Sequence, residues 1–207
     1  YEGLTTMAAS TVFYYLGVCY KEMHELETAL SYYSKAVDIK KCYLGKAHLE
    51  IVELYVEIGG ILTALHRTEE AEKYFELASD ILSSKKGDPF WLLRAKIEES
   101  RGNLYCEEKM FDVAMSLYDS ALKFKSNILP QDHIEIAITY NRMGAVLLMQ
   151  QKYLEALICF QKVLPIDLAA YGQNNPNVAK AYSNIGLTYL YLGHNEDAKH
   201  NCEEAIS

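Results

Sequence analysis

A glycine recurs along this chain of 207 residues at an almost constant interval of 42 or 43 residues. An alanine follows each member of the series twelve residues later. The glycines are Gly17, Gly59, Gly102, Gly144 and Gly186, and the alanines are Ala29, Ala71, Ala114, Ala156 and Ala198. A fixed period between about 20 and 50 residues indicates stacked structural repeats, each too small to bury its own apolar face.

Each repeat has the pattern of two helices. In the last repeat, Ile185 and Tyr189 share a helical face with the recurring glycine. The residues Gly193-His194-Asn195 then interrupt the helix, and Ala198 and Cys202 continue the apolar spacing on a second one. Because neither helix can bury its stripe alone, the pattern predicts an all-α protein built from stacked antiparallel helix pairs.

The recurring glycine needs a packing explanation. Glycine in the middle of a helix costs roughly 1 kcal/mol relative to alanine. Close approach of the second helix would leave no room for a Cβ atom at that position. We therefore expect the alanine that follows twelve residues later to face the glycine.

The spacing of apolar and small residues resembles the tetratricopeptide repeat (TPR) family. The residues that carry the resemblance in the first repeat are Phe13, Leu16, Gly17, Tyr20, Ala29, Tyr33 and Ala36. The resemblance implies an α-solenoid, a right-handed superhelix of five TPR helix-turn-helix units. In that reading residues 1–207 form a single TPR solenoid with units of approximately 3–44, 45–87, 88–129, 130–171 and 172–207, as a segment of a longer protein.

The extra length of the repeat lies between the helix pairs. The segment Tyr171-Gly172-Gln173-Asn174-Asn175-Pro176-Asn177-Val178-Ala179 resembles the linker of kinesin-light-chain-like repeats, and residues 44–52 and 132–137 are looser copies. In the third copy, Asp132 and Glu135 have the spacing of a capping box. These linkers indicate the 42-residue kinesin-light-chain-like subclass.

Two prolines predict local departures from regular helix geometry. We expect the first helix of the third unit to begin early, at Asp88-Pro89, because aspartate is a good N-cap and proline suits the first turn. Pro165 falls inside a predicted second helix, where it removes a hydrogen bond and clashes with the preceding turn. We expect a kink there, or a helix that ends near Leu164.

Composition excludes several classes of function. The net charge is −8 and the pI is about 5.3, with no basic stripe, which argues against nucleic-acid binding. No apolar run approaches the roughly 18–20 residues that span a bilayer, so we expect no membrane insertion. Five cysteines without a C-x-x-C pair suggest buried, reduced thiols and a cytoplasmic location, with association to the cytoskeleton or a cilium as a further option.

The sequence contains no recognisable catalytic motif. Asp132-His133 resembles an acid–base pair, but its position in the linker favours a capping role. The neighbouring carboxylates Glu98-Glu99 and Glu107-Glu108 point to different helix faces and indicate solvated surface. We therefore expect no enzyme, no catalytic residues, no metal and no cofactor.

The TPR resemblance implies that the first helices of successive units line a concave groove that binds a partner. The resemblance places the following residues of this sequence in the groove: Tyr14, Lys21, Glu57, Glu99, Asn103, Asn141, Arg142, Lys180, Asn184 and Tyr191. Acidic residues dominate its first three units, and basic and amide residues dominate the last two. In kinesin-light-chain-like repeats such asparagines hold a peptide backbone, which Asn141 and Asn184 match.

Three functions remain open from the sequence. The first is a non-catalytic scaffold or adaptor that binds a protein or peptide segment in this groove, its acidic end towards Arg142 and Lys180. The second is a structural subunit of a large cytoskeletal, motor or ciliary complex. The third is a sensor or autoinhibitory domain of a longer signalling protein. Binding through the convex face or the linkers is the alternative to the groove.

Overall fold

A computed structural model describes residues 6–83, 85 and 90–206. The described residues form helices and connecting turns, with no strand among them, so the predicted all-α class is confirmed. The helices are α1 (Met7–Glu22), α2 (Leu26–Leu44), α3 (Leu49–Ala64), α4 (Thr68–Ser83), α5 (Trp91–Glu107), α6 (Phe111–Ser126), α7 (Ile134–Met149), α8 (Tyr153–Tyr171), α9 (Pro176–Leu192) and α10 (Asn195–Glu204).

The chain divides into two compact units, Tyr1–Lys109 and Met110–Ser207. In the first unit, α1 packs on α2, α2 on α3 and α3 on α4, while α5 packs on both α3 and α4. In the second unit, α6 packs on α7, α7 on α8, α8 on α9 and α9 on α10. Within each unit every helix therefore contacts its neighbours in sequence, as expected for stacked helix pairs. The predicted single domain of five repeats stays a prediction.

A left-handed residue ends the first helix of each pair. His24, His66, Lys109, Gln151 and Gly193 have φ between 56° and 79°, and each lies seven residues after a recurring glycine. A residue with positive φ reverses the chain tightly, so that the next helix begins within a few residues. Only the last of these positions carries glycine, the residue that adopts this conformation at least cost.

In three of the helix pairs the recurring glycine packs against an aromatic ring of the second helix. A Cβ atom at Gly144 would lie 2.6 Å from Cε1 of Phe160, and one at Gly17 would lie 3.0 Å from the ring of Tyr33. In the last pair the neighbours are Sγ of Cys202, at 2.9 Å, and the carbonyl oxygen of Ala198. Close helix approach was predicted correctly. Among these pairs the expected alanine is a nearest neighbour only in the last, through the carbonyl oxygen of Ala198, whereas at Gly17, Gly59 and Gly144 the nearest atoms belong to the aromatic ring of the second helix.

Proline does not end the second helix of the fourth pair. Of the two expected alternatives, the helix end near Leu164 was wrong, because α8 continues through Pro165 to Tyr171, and the kink at Pro165 stays a prediction. Packing of α8 against both α7 and α9 offsets the single hydrogen bond that proline removes. The early helix start predicted at Asp88-Pro89 lies outside the described residues, and α5 is described from Trp91.

Histidines cap two of the first helices. The backbone N–H of Glu50 donates to Nδ1 of His48 over 3.3 Å, and the N–H of Glu135 donates to Nδ1 of His133 over 3.1 Å. The capping residue of α7 is therefore His133, and the assignment of the cap to Asp132 was wrong by one residue. Because this nitrogen accepts a backbone hydrogen bond, the capping role is favoured over an acid–base pair.

The cysteines are less buried than predicted. Cys19, Cys42 and Cys202 are exposed, and only Cys159 is buried; all five are free thiols. Their helical positions fall largely on outward faces, which the spacing of small residues did not reveal. Of the helices that the structure describes, none has the length and apolar character to cross a bilayer.

A buried lysine joins α6 to α7. The ammonium group of Lys125 donates to the carbonyl oxygen of Glu135 over 2.8 Å and to the Thr139 hydroxyl over 3.1 Å. It also lies 3.0 Å from the carboxylate of Glu135. These bonds compensate for burying the charge, and they hold the first turn of α7, which carries the candidate site described next.

Candidate partner-binding site

The predicted groove residues lie on the first helix of each pair. Tyr14 and Lys21 lie on α1, Glu57 on α3, and Glu99 and Asn103 on α5, all in the first unit. The second unit holds the rest, on α7 and α9: Asn141, Arg142, Lys180, Asn184 and Tyr191. The role of both sets in binding stays a prediction.

Glu57 is already neutralised by two lysines. Its carboxylate lies 2.8 Å from the ammonium group of Lys21 and 3.0 Å from that of Lys96, and 18% of its side chain is exposed. Burial alone would raise the pKa of Glu57, but the hydrogen bond from Lys21 and the charge of Lys96 outweigh it and lower the pKa. Glu57 therefore ties α1, α3 and α5 together and offers little free negative charge.

The two predicted groove residues of α5, Glu99 and Asn103, add little exposed charge to the first unit. Glu99 is buried and Asn103 is half-buried, and both interact with other residues. Because Glu57 is paired and Glu99 is buried, the first unit presents less negative surface than its residue count indicates. Sequence spacing assigns residues to a helix face, but it does not reveal ion pairs between residues 36 or 39 positions apart.

Tyr14 lies beside a small polar pocket of the first unit. Its ring makes edge contacts with Tyr15 and Tyr33, at centroid distances of 5.4 and 5.7 Å. The pocket has a volume of about 180 Å³ and includes an ion pair between Lys40 and Glu50. The hydrogen bond from Lys40 lowers the pKa of Glu50. Lys40 and Glu50 thus neutralise each other at this pocket, whereas the exposed Glu53 also lines it.

In the second unit, the two predicted asparagines contact each other. Nδ2 of Asn184 donates to Oδ1 of Asn141 over 3.0 Å, which joins α9 to α7. Each amide is half-buried. A carboxamide carries two N–H donors and an acceptor oxygen, so Asn141 keeps its N–H groups and Asn184 keeps its oxygen for another ligand. The pair therefore offers a fixed donor and acceptor side by side.

A cavity of about 350 Å³ opens next to the asparagine pair. Helices α7, α8 and α9 line it, and its lining residues are Ile134, Ala137, Ile138, Asn141, Arg142, Val163, Asp167, Tyr171, Asn177, Lys180 and Ala181. Val163, Ala137 and Ala181 are buried at its apolar floor, whereas Lys180 is exposed. The cavity thus combines apolar walls with convergent polar groups, which is typical of ligand sites.

Asp167 is the site residue that the sequence reasoning missed. It lies on α8, it lines the cavity, and only 7% of its surface is exposed. Burial raises its pKa above the usual value. The sequence did mark this position, because Asp167 is the one acidic residue within the apolar run 163–170. The groove prediction missed it because that prediction considered only the first helix of each pair.

Tyr191 ends the row of groove residues on α9. Its ring stacks on that of Tyr153 with a centroid distance of 5.0 Å and an interplanar angle of 13°. The residue is nevertheless exposed. The exposed ring of Tyr191, stacked on the half-buried ring of Tyr153, gives a partner a rigid apolar surface at the far end of α9.

Comparison with known proteins identifies the repeat. The family model described as tetratricopeptide repeat matches residues 6–84 and 135–207. The protein kinesin light chain-related 3 of Arabidopsis thaliana is 27% identical over 191 residues. That alignment covers 92% of this chain and 29% of the relative, so the chain spans less than a third of the relative's length.

Two solved structures share the fold. The crystal structure of BtubC (BKLC) from P. vanneervenii has a TM-score of 0.81 and 18% identity, and it covers 97% of this chain and 79% of that one. A Rap protein complexed with competence and sporulation factor has a TM-score of 0.76 and 17% identity, with coverage of 94% and 52%. The predicted kinesin-light-chain-like TPR resemblance and the predicted solenoid class are confirmed by these matches and those above.

Proposed function

The chain belongs to the tetratricopeptide repeat family, and on that premise we propose that it is a non-catalytic scaffold or adaptor that binds a segment of a partner protein. The observation that carries the proposal is the bonded pair of Asn141 and Asn184 beside the cavity of the second unit. The partner lies along α7 and α9, where these amides meet its backbone.

The asparagine pair suits an extended peptide backbone. A peptide unit presents one N–H donor and one C=O acceptor, and the pair offers the complementary acceptor on Asn184 and donors on Asn141. Because the two amides hold each other, little side-chain entropy is lost when a backbone binds. Arg142 and Lys180 lie on the same helices and favour a segment with acidic or polar side chains beside this point.

The comparisons support partner binding as the general role. The Rap protein of similar fold is complexed with competence and sporulation factor, so this fold accommodates a bound partner. The Arabidopsis relative is named as kinesin light chain-related, which favours a place in a motor-associated complex and a cytoplasmic, cytoskeleton-associated location. These finer assignments are part of the proposal.

A peptide array followed by solution titration tests the groove. The chain is applied to an array of random peptides, and the best binder is labelled and titrated by fluorescence anisotropy. Asn141→Ala/Asn184→Ala removes two hydrogen bonds of about 0.5–1.5 kcal/mol each, so affinity falls about 5- to 150-fold. The matched control is Asn174→Ala/Asn195→Ala, two exposed asparagines of the same unit. Equal affinity of the site variant and the parent would count against the groove.

A structural subunit of a larger assembly is the second candidate. Leu154 and Ile158 lie one turn apart on α8 and are 66% and 55% exposed. Such a pair offers a contact surface outside the groove. Size-exclusion chromatography with light scattering separates the candidates, because an adaptor is a monomer that binds peptides reversibly. A chain that aggregates alone and dissolves when Leu154 and Ile158 become polar is a subunit that needs a fixed neighbour.

A further inference from the structure

The second unit largely buries a carboxylate, that of Asp167, which has no partner among the described residues. Asp167 makes no hydrogen bond and no ion pair with any residue that the structure describes, although only 7% of its surface is exposed. Most buried ionisable groups are paired, because removing a charge from water without compensation is costly. The carboxylate oxygens of Asp167 are not among the fully buried atoms, so they reach the open cavity, where a ligand can supply the missing partner.

The two nearby cations do not supply that partner. Arg142 on α7 and Lys180 on α9 line the same cavity, but neither forms an ion pair with Asp167 within the described part of the chain. The pKa of Asp167 is accordingly raised by its burial, with no opposing charge to lower it. The remaining walls near it are apolar, as at Val163 and Ala181.

We propose that this cavity binds an arginine side chain of the partner segment, with its guanidinium group on the Asp167 carboxylate. The inference rests on the proposed partner binding and names the chemistry of one subsite. A guanidinium is weakly hydrated and bonds a carboxylate through two parallel N–H groups, so it tolerates burial better than an ammonium group. The apolar walls contact its methylene stem, and the cavity of about 350 Å³ falls within the usual range of ligand pockets.

The cations at the same cavity define the residues next to the arginine. Lys180 is exposed and Arg142 is half-buried, so a bare cation is repelled before it reaches Asp167. A partner that carries carboxylates beside its arginine meets these two residues as it enters. The subsite therefore selects a partner segment in which an arginine has acidic neighbours, and it discriminates against a segment that carries acidic residues alone.

A blocked tripeptide tests this subsite directly. The probe is acetyl-Glu-Arg-Glu-amide, titrated into the full chain and followed by two-dimensional ¹⁵N–¹H NMR. A ligand of this size binds in the range of about 0.1–1 mM. The matched ligand contains citrulline, which keeps the shape of arginine and removes its charge. We expect citrulline to lower the affinity at least tenfold, and lysine in place of arginine to bind more weakly than arginine.

The variant Asp167→Asn completes the test. It keeps the size of the side chain and removes the charge, so arginine and citrulline probes should bind it equally. Asp119→Asn, at an exposed position of α6, is the control and should keep the tenfold preference. A citrulline probe that binds the parent as well as arginine does, or a preference that persists in Asp167→Asn, would overturn the inference. The citrulline comparison needs no variant, so it holds even if Asp167→Asn does not fold.

Failure of the subsite and failure of the groove give different results. Asn141→Ala/Asn184→Ala weakens both probes by the same factor and preserves the ratio of arginine to citrulline affinity. If that double variant binds the array peptide as the parent does, the proposed function fails, whatever the ratio. If the ratio is one while the double variant loses the array peptide, only the arginine subsite fails.

Discussion

Two adjacent glycines of α3 allow a sharp test of the helix packing. A Cβ atom added at Gly59 would lie 2.6 Å from Cζ of Phe75, whereas one added at Gly60 has no neighbour within 4 Å. Both residues lie in the middle of the same helix, so alanine improves helix propensity equally at the two positions. The variants Gly59→Ala and Gly60→Ala therefore differ only in the contact between α3 and α4.

The magnitudes follow from two opposing effects. Replacing glycine by alanine in a helix gains up to about 1 kcal/mol, so Gly60→Ala should stabilise the protein by about 0.5–1 kcal/mol. Phe75 is fully buried and has little room to move, and overpacking a core typically costs 1–3 kcal/mol. Gly59→Ala should therefore lower the free energy of unfolding by about 0–2 kcal/mol. The free energies of unfolding of the two variants should then differ by about 1–3 kcal/mol.

Urea denaturation followed by circular dichroism at 222 nm measures this difference. The free energy of unfolding is obtained from the midpoint and the slope of each transition. We expect a higher midpoint for Gly60→Ala than for the parent and a lower or equal one for Gly59→Ala. Equal midpoints for the two variants would refute the argument that the recurring glycine makes room for the aromatic ring of the second helix.

Three further changes test the account. Glu57→Gln should lower the free energy of unfolding by about 1 kcal/mol at pH 7. Because the pKa of Glu57 is lowered in the folded protein, the difference between variant and parent should shrink as the pH falls through that pKa, which urea titrations at several pH values measure. Asp167→Asn should have a higher melting temperature than the parent at pH 7. The difference should close towards pH 4, because a carboxyl group whose pKa is raised by folding destabilises the protein only at pH values above its pKa in the unfolded chain. Gln151→Gly should stabilise and Gly193→Ala should destabilise, each by about 1 kcal/mol, because both positions have positive φ; opposite signs in thermal melts would contradict this.

The repeat architecture was predictable because its signals are local and periodic. The glycine and alanine series marks both helices of a pair, and the break at Gly193 corresponds to the left-handed turn that ends α9. The partner of the glycine was not predictable, because spacing defines a helix face but not which of two side chains on the opposite helix is long enough to reach it. The exposure of Cys19 was missed because this residue lies beside core positions in sequence, whereas Cys202 occupies the register position of Tyr33 and contacts Gly186 but is still exposed.

The candidate site was only partly predictable. The amides of Asn141 and Asn184 follow from the repeat register, but their mutual hydrogen bond depends on tertiary structure, in which α8 packs on both α7 and α9. Counting charges along the first helices overestimated the acidity of the first unit, because the pairing of Glu57 with two lysines depends on tertiary structure. Asp167 lies on a second helix, outside the faces that the repeat register considers.

The central claim is that the partner binds to α7 and α9 of the second unit. Site-specific photo-crosslinking tests it directly, with a benzoylphenylalanine residue placed at Ser183, exposed on α9 next to Asn184, or at Leu154 on α8. The array-selected peptide should crosslink to the chain labelled at position 183 and not to the chain labelled at position 154. Crosslinking at position 154 alone would contradict the account and place the partner on the second helices.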